Sequence, residues 1–125
     1  MDSVSLERDE IPAGIAALII ADPRVAYSAA AKAKLQEYIA AGGNLMISGE
    51  PGRQQVINPL LASLGVAMQN GTILQRSREY SYDLVTPEFA PGSVAMDKSL
   101  QQFYQYKATV SMPGVAALRS QSIQI

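Results

Sequence analysis

Short apolar runs that end at turns containing Pro or Gly dominate the first half of the chain. The first run, AALIIAD at residues 16–22, is continuously apolar until its final acid. Such a run is typical of a strand that is buried on both faces, as in parallel sheets. A second run of this kind, NLMISG, occupies residues 44–49. The two runs therefore predict two strands of a parallel sheet.

The segment between these runs has the composition and the ends of a helix. Ser28 precedes AAAKAKLQEYIAA at residues 29–41, a stretch of strong helix formers with apolar side chains near helical spacing. Gly42 and Gly43 follow and permit a left-handed cap. Strand, helix and strand of these lengths predict a right-handed βαβ unit.

After this unit the pattern becomes less regular. RQQVIN at residues 53–58 predicts one or two helical turns. Asn58 as an N-cap and Pro59 at the first helical position then predict a second helix, which ends at Gly65. VAM and GTILQ flank the turn at residues 69–71, so we expect them to pair as short strands.

The last third predicts one more helix and two more short strands. MDKSLQQFYQYK at residues 96–107 places apolar side chains at helical spacing, and Tyr104 is expected in the core. DLVTP at residues 83–87 and ATVSM at residues 108–112 predict the strands.

We therefore expect a single α/β domain over residues 1–125, with a βαβα core at 10–66 and a more irregular α+β extension at 67–125. SVSL at residues 3–6 and SIQI at residues 122–125 alternate like interrupted strands. We accordingly expect the chain to be an excised or truncated portion of a larger fold.

Composition narrows the possible functions. Ten basic and eleven acidic residues give a net charge of −1, without a basic block, which argues against nucleic acid or an anionic membrane surface as the main partner. The chain has no Cys and no His, so thiolate nucleophiles, Cys-based metal sites and Ser–His pairs are excluded. We expect no enzymatic activity, no cofactor and no metal. A hydrolase that relies on two carboxylates is the remaining catalytic alternative.

Polar residues with binding chemistry gather where the two parallel strands end. Asp22-Pro23-Arg24 follows the first strand and Glu50-Pro51-Gly52-Arg53 follows the second. Because loops at the carboxyl ends of parallel strands share one edge of the sheet, these loops are expected to meet. The candidate residues for a ligand or a partner are Asp22, Arg24, Glu50, Gly52, Arg53 and Gln54.

Two interpretations of these loops remain open. Backbone N–H groups at residues 52–54 begin a helix, which is an arrangement that binds anions. Pro and Gly are also the residues that a strand-to-helix turn requires, and in that interpretation Arg53 only pairs with Glu50 or Asp22. The spacing matches neither of the common glycine-rich nucleotide-binding motifs.

Three stretches resemble a known family: ALIIADPR, LQEYIAAGGNLMISGEPGRQQVINPLLASLGV and VSMPGVAAL. Together they are similar to the gliding-motility-type ABC transporter auxiliary domain, the soluble part of membrane proteins encoded with or fused to ABC-2 permeases in Bacteroidetes and other bacteria. The resemblance implies a flavodoxin-like, class I glutamine amidotransferase-like layered fold with a mainly parallel central sheet. The catalytic Cys and His of enzymes with that fold have no counterpart in this chain.

The resemblance also implies a function and a location. It implies a non-catalytic accessory domain of a bacterial ABC-type transport system, with a permease or other subunits of the membrane complex as partners and a homo-oligomer as a further option. The parent protein would lie in the inner membrane, with this domain on the extracytoplasmic (periplasmic) side and its membrane segments outside these residues. The alternative function is a sensor that binds an anion or a carbohydrate at the strand-end loops.

Overall fold

Helices and strands follow one another closely in the computed structural model, which describes residues 2–120. In chain order they are β1 (Leu18–Ala21), α1 (Ala29–Ala40), β2 (Leu45–Ser48), α2 (Gln54–Leu61), a 3-10 turn (Ala62–Leu64), β3 (Val66–Met68), β4 (Leu84–Val85), α3 (Pro91–Met96), a second 3-10 turn (Lys98–Leu100), α4 (Gln101–Gln105), β5 (Met112–Pro113) and β6 (Leu118–Ser120). The strand predicted for SIQI lies outside the described residues. SVSL forms no strand.

The chain divides into two compact units. Unit 1 comprises residues 2–70 and 118–120 of the described chain, and unit 2 comprises Gly71–Ala117. Between residues 2 and 120, no helix combines the length and the apolar character that crossing a bilayer requires.

In unit 1, β1 and β2 pair in parallel, with Leu18 opposite Leu45 and Ala21 opposite Ser48. This confirms the predicted strand–helix–strand order. The prediction that both faces of the strands are buried is wrong, because the rest of unit 1 covers only one face of them. Leu18 and Ile20 are buried, whereas Ile19 is 49% exposed on the opposite face.

Local sequence signals set both ends of α1. The Ser28 hydroxyl accepts a hydrogen bond from the Ala31 N–H at 3.1 Å, as expected of an N-cap. At the other end Gly42 has φ +84°, a left-handed conformation that glycine adopts without steric cost. Both predictions for this helix are confirmed.

One face of α1 closes the core of unit 1. Ala31 and Leu35 are almost fully buried, and they cluster with Leu18 and Ile20 from β1 and with Leu60 from α2. Burying a large aliphatic side chain of this kind contributes about 1.5–3 kcal/mol. This cluster holds the parallel pair against the helices and fixes the positions of the strand ends.

Helix α2 differs from the prediction. It runs without interruption through Pro59, so Asn58 is not an N-cap. The Asn58 side chain instead bonds the backbone of Met68, donating to its carbonyl oxygen at 3.1 Å and accepting from its N–H at 2.8 Å. The predicted end of the segment is confirmed, since Gly65 has φ +66° and caps the 3-10 turn.

The partner of β3 also differs from the prediction. VAM forms β3, but GTILQ forms no strand, and β3 pairs antiparallel with β6. Met68 lies opposite Leu118, which is distant in sequence. The local turn signal at residues 69–71 therefore does not lead to a hairpin.

Unit 2 contains little buried surface. Strands β4 and β5 pair antiparallel, and Val85 is the only buried residue within Gly71–Ala117. The rings of Phe89 and Phe103 stack with centroids 5.6 Å apart. Tyr104, which we expected in the core, is 41% exposed, because α4 has only five residues and buries none of them.

The predicted mixed α/β class is confirmed. The described residues contain one parallel pair, β1–β2, while the pairs β3–β6 and β4–β5 are antiparallel. They show no mainly parallel central sheet.

Candidate functional site

Asp22 lies at the carboxyl end of β1 and continues its pairing with β2. Its N–H donates to the Ser48 carbonyl oxygen at 2.8 Å. Its φ of +41° is in the left-handed region, which Asp tolerates better than most residues. The backbone thus turns away from the sheet at Asp22, where the second strand also ends.

The Asp22 carboxylate joins both predicted loops. Its Oδ2 lies 3.7 Å from Arg24 Nε, and its Oδ1 lies 3.7 Å from Arg53 Nε. Oδ1 also accepts a long hydrogen bond of 3.4 Å from the Glu50 N–H. We call Asp22, Arg24, Glu50 and Arg53 the Asp22 cluster. The structure therefore brings together the residues that the sequence placed at one edge of the sheet.

The turn that supplies Glu50 and Arg53 is built by its backbone. The Arg53 N–H donates to the Glu50 carbonyl oxygen at 3.2 Å, and Gly52 has φ +93°. The Arg53 carbonyl then accepts from the N–H groups of Val56 and Ile57, which begins α2. Among residues 2–120, no side chain caps this helix. This geometry is that of a strand-to-helix turn, and it also leaves backbone N–H groups at the start of α2 in the arrangement that binds anions.

Gln54 does not belong to the Asp22 cluster. Its side-chain Nε2 donates to the Gln69 carbonyl oxygen at 2.9 Å, which links the start of α2 to the end of β3. The sequence does not predict this contact, because its acceptor is a backbone carbonyl. Every residue carries such a group, so no residue type marks the position of the partner. Gly52 contributes its backbone conformation alone.

Charge within the Asp22 cluster is largely balanced. One carboxylate lies between two guanidinium groups, and the Glu50 side chain forms no ion pair with any described residue. The Arg24 side chain is 78% exposed and that of Arg53 is 36% exposed, so water screens both pairs. Both arginines remain within reach of a macromolecular surface.

The described residues do not form a metal centre. Between residues 2 and 120, no group of three or more acidic side chains is arranged to hold a metal ion. What the cluster offers is two guanidinium groups, which bind carboxylates and phosphates in a planar, two-pronged geometry.

Comparison with known proteins yields one family and one fold. The family model described as "ABC-type uncharacterized transport system" matches residues 1–115. A solved structure titled "mmIFT52 N-terminal domain" is similar with a TM-score of 0.67 and 21% sequence identity. The similarity covers 98% of this chain and 58% of that chain, and at this identity it concerns the fold alone. No curated protein matches the sequence significantly.

Proposed function

Since the chain belongs to the ABC-type uncharacterized transport system family, we propose that it serves a bacterial ABC-2-like transporter as a non-catalytic accessory domain. The family match over residues 1–115 is the observation that carries this proposal. The absence of Cys and His from the sequence supports the non-catalytic part, because it removes the usual nucleophile and the usual general base.

The proposal extends to the partner and the location. The domain belongs to the gliding-motility type found in Bacteroidetes, and it lies on the periplasmic side of the inner membrane beside a permease subunit. Its parent fold is flavodoxin-like and related to class I glutamine amidotransferases. The resemblance of the sequence to that group supports each of these points.

Docking to the transporter uses the Asp22 cluster. Arg24 and Arg53 present guanidinium groups at the carboxyl ends of β1 and β2, and the Asp22 carboxylate lies 3.7 Å from each of them. An acidic segment of the partner would exchange water for charge-assisted hydrogen bonds with these groups. Such rim charges govern the association rate and the choice of partner more than the affinity.

Charge reversal tests this function. In the native membrane complex, Arg24→Glu combined with Arg53→Glu should abolish co-purification of the ABC permease, identified by mass spectrometry, while the circular dichroism spectrum stays unchanged. Arg76→Glu combined with Arg78→Glu is the matched control, because it reverses the charge of two exposed arginines that lie outside the Asp22 cluster. Equal recovery of the permease with all variants would show that the cluster is not the contact.

A second candidate function is binding of a small anion or a carbohydrate. The observation that favours it is the start of α2, which lies next to Arg53 and is capped by no side chain of the described residues. A thermal-shift screen against phosphate, sulfate and common sugars tests it. A ligand at about 100 times its Kd should add about 2.7 kcal/mol of stability. Arg53→Ala should remove that shift, and a flat screen would reject this function.

A further inference from the structure

The turn signal Asn70-Gly71 takes no part in strand pairing. Asn-Gly is a strong sequence signal for a two-residue hairpin turn, but β3 ends at Met68 and pairs with β6 instead. Asn70 and Gly71 form an exposed bend that belongs to no helix or strand. Gly71 has φ +86°, a left-handed conformation that glycine adopts without steric cost. The pair is therefore available for chemistry that a strand or helix would prevent.

The reactive groups of this pair are unengaged. Neither the Asn70 carboxamide nor the Gly71 N–H forms a hydrogen bond with another described residue. Gly71 has no side chain, and apart from its chain neighbours no described atom lies within 4 Å of the place that a Cβ would take. The Asn70 side chain can therefore turn towards the Gly71 nitrogen without breaking a contact with the described residues.

The other two asparagines of the chain are held in place. The Asn44 carboxamide donates to the Ala16 carbonyl oxygen at 2.9 Å. The Asn58 carboxamide bonds both backbone groups of Met68, and the residue after it is Pro59, whose nitrogen carries no hydrogen. Of the three asparagines, Asn70 is the one whose carboxamide has no hydrogen bond to a described residue.

We propose that Asn70 is a site of spontaneous deamidation. The Gly71 nitrogen loses its proton to water or hydroxide and attacks Cγ of Asn70, which forms a new C–N bond. The bond between Cγ and Nδ2 then breaks, ammonia leaves, and a five-membered succinimide ring remains.

Water opens this ring at either of its carbonyl carbons. Opening at Cγ gives aspartate. Opening at the main-chain carbonyl carbon gives isoaspartate, in which the peptide chain runs through the former side chain. The whole reaction consumes water and releases ammonia, and no atom is oxidised or reduced.

The modification alters both the charge and the backbone of the chain. An uncharged amide becomes a carboxylate, which adds one negative charge to a net charge of −1. Isoaspartate also inserts a carbon into the main chain directly after Gln69, whose carbonyl accepts from Gln54. The reaction requires only water, so the inference does not rest on the proposed transport function.

Mass spectrometry of the incubated chain tests this assignment. The folded chain and a capped synthetic peptide of residues 67–73, AMQNGTI, are kept at mildly alkaline pH until half of the peptide has reacted. Proteolytic fragments that contain residue 70 should gain about 1 Da, and a protein-isoaspartate methyltransferase should methylate them. Fragments that contain Asn44 or Asn58 should keep their mass.

The rate in the folded chain tests the structural part of the inference. It should lie within about tenfold of the rate in the peptide, because an exposed bend reacts without prior unfolding. A folded chain that reacts more than about tenfold more slowly than the peptide overturns the proposal. No mass gain at residue 70, or an equal gain at Asn44, overturns it as well.

Three variants assign the reaction to this pair. Gly71→Ala should slow it at least about fivefold, because a Cβ hinders the attacking nitrogen. Asn70→Gln should abolish it, because the longer side chain would have to close a six-membered ring. Thr72→Ala is the matched control, since it changes an exposed neighbour and leaves the reacting pair intact.

Equal rates in Gly71→Ala and in the unaltered chain would also overturn the proposal. Alanine is strained at φ +86°, so this variant may not be assumed to fold. Should it fail to fold, the same substitution in the synthetic peptide gives the comparison.

Discussion

Asn58 and Met68 are joined through both polar groups of the Asn58 side chain. Its Oδ1 accepts from the Met68 N–H at 2.8 Å and its Nδ2 donates to the Met68 carbonyl at 3.1 Å. The amide therefore replaces a neighbouring strand at the end of β3 and ties that strand to α2. The same helix carries Arg53 at its start, so this contact helps to position the Asp22 cluster.

We expect Asn58→Ala to destabilise the chain by about 1–3 kcal/mol, because it leaves the buried Met68 backbone groups without partners. Urea unfolding followed by circular dichroism measures the change. Gln55→Ala is the control in the same helix, since Gln55 is exposed and should change stability by less than about 0.5 kcal/mol. Equal effects of the two substitutions would show that the amide pairing adds nothing.

Local signals in the sequence predict α1 and its caps, whereas α2 and β3 depend on distant residues. Ser28 and Gly42 act within one helical turn, so their roles are readable from the sequence. Asn58 before Pro59 gives the same local signal as an N-cap, but its partner is Met68. The partner of β3 is Leu118–Ser120, a non-local pairing that no short pattern encodes.

The candidate site shows the same division. Asp22 and Arg53 could be placed together from the sequence, because two predicted parallel strands end beside one another. The contact of Gln54 with the Gln69 carbonyl could not be predicted, since it depends on where β3 lies. The exposed face of Ile19 was missed because a continuously apolar run indicates burial on both sides. Binding by the Asp22 cluster remains a prediction.

Gly49 is expected to tolerate no side chain. A Cβ at this position would collide with Cδ1 of Ile57, which is 1% exposed and held in the core. Gly49→Ala should therefore destabilise the chain by about 1–3 kcal/mol, the usual cost of overpacking. Thermal or urea unfolding of the variant measures this loss.

A double-mutant cycle identifies the collision as the cause. Ile57→Val removes the Cδ1 methyl and alone should cost about 0.5–1.5 kcal/mol. The double variant, Gly49→Ala with Ile57→Val, should lose less stability than the sum of the two single losses, because removing the Cδ1 methyl makes room for the new Cβ. Strictly additive losses would mean that Gly49 is needed for a reason other than Ile57.

Asp22 combines a left-handed backbone with a surface charge, and two substitutions separate these properties. Asp22→Asn keeps a residue that tolerates φ +41° and an oxygen for the Glu50 N–H, so it should cost less than about 1 kcal/mol. Asp22→Val adds backbone strain and should cost about 1–3 kcal/mol more. Urea unfolding of both variants measures the difference, and equal stabilities would contradict a strained turn.

Glu7 links the start of the chain to the start of α1 and gives the fold a dependence on pH. The Ser28 hydroxyl and the Ser28 N–H, which donates to Glu7 Oε1 at 2.9 Å, hold the pKa of the Glu7 carboxyl below its ordinary value of 4.5. Because the folded chain lowers this pKa, the stabilisation is fully present above about 4.5 and disappears as the pH falls through the lower value of the folded state.

Stability should therefore fall on acidification, and part of that fall should depend on Glu7. Urea midpoints at about pH 6 and about pH 3 should differ less in Glu7→Gln than in the unaltered chain, because an amide does not gain a proton in this range. Glu37→Gln is the control, since the Glu37 side chain is exposed and forms no hydrogen bond with a described residue. If Glu37→Gln flattens the pH dependence as much as Glu7→Gln does, the Ser28 contact is not its source.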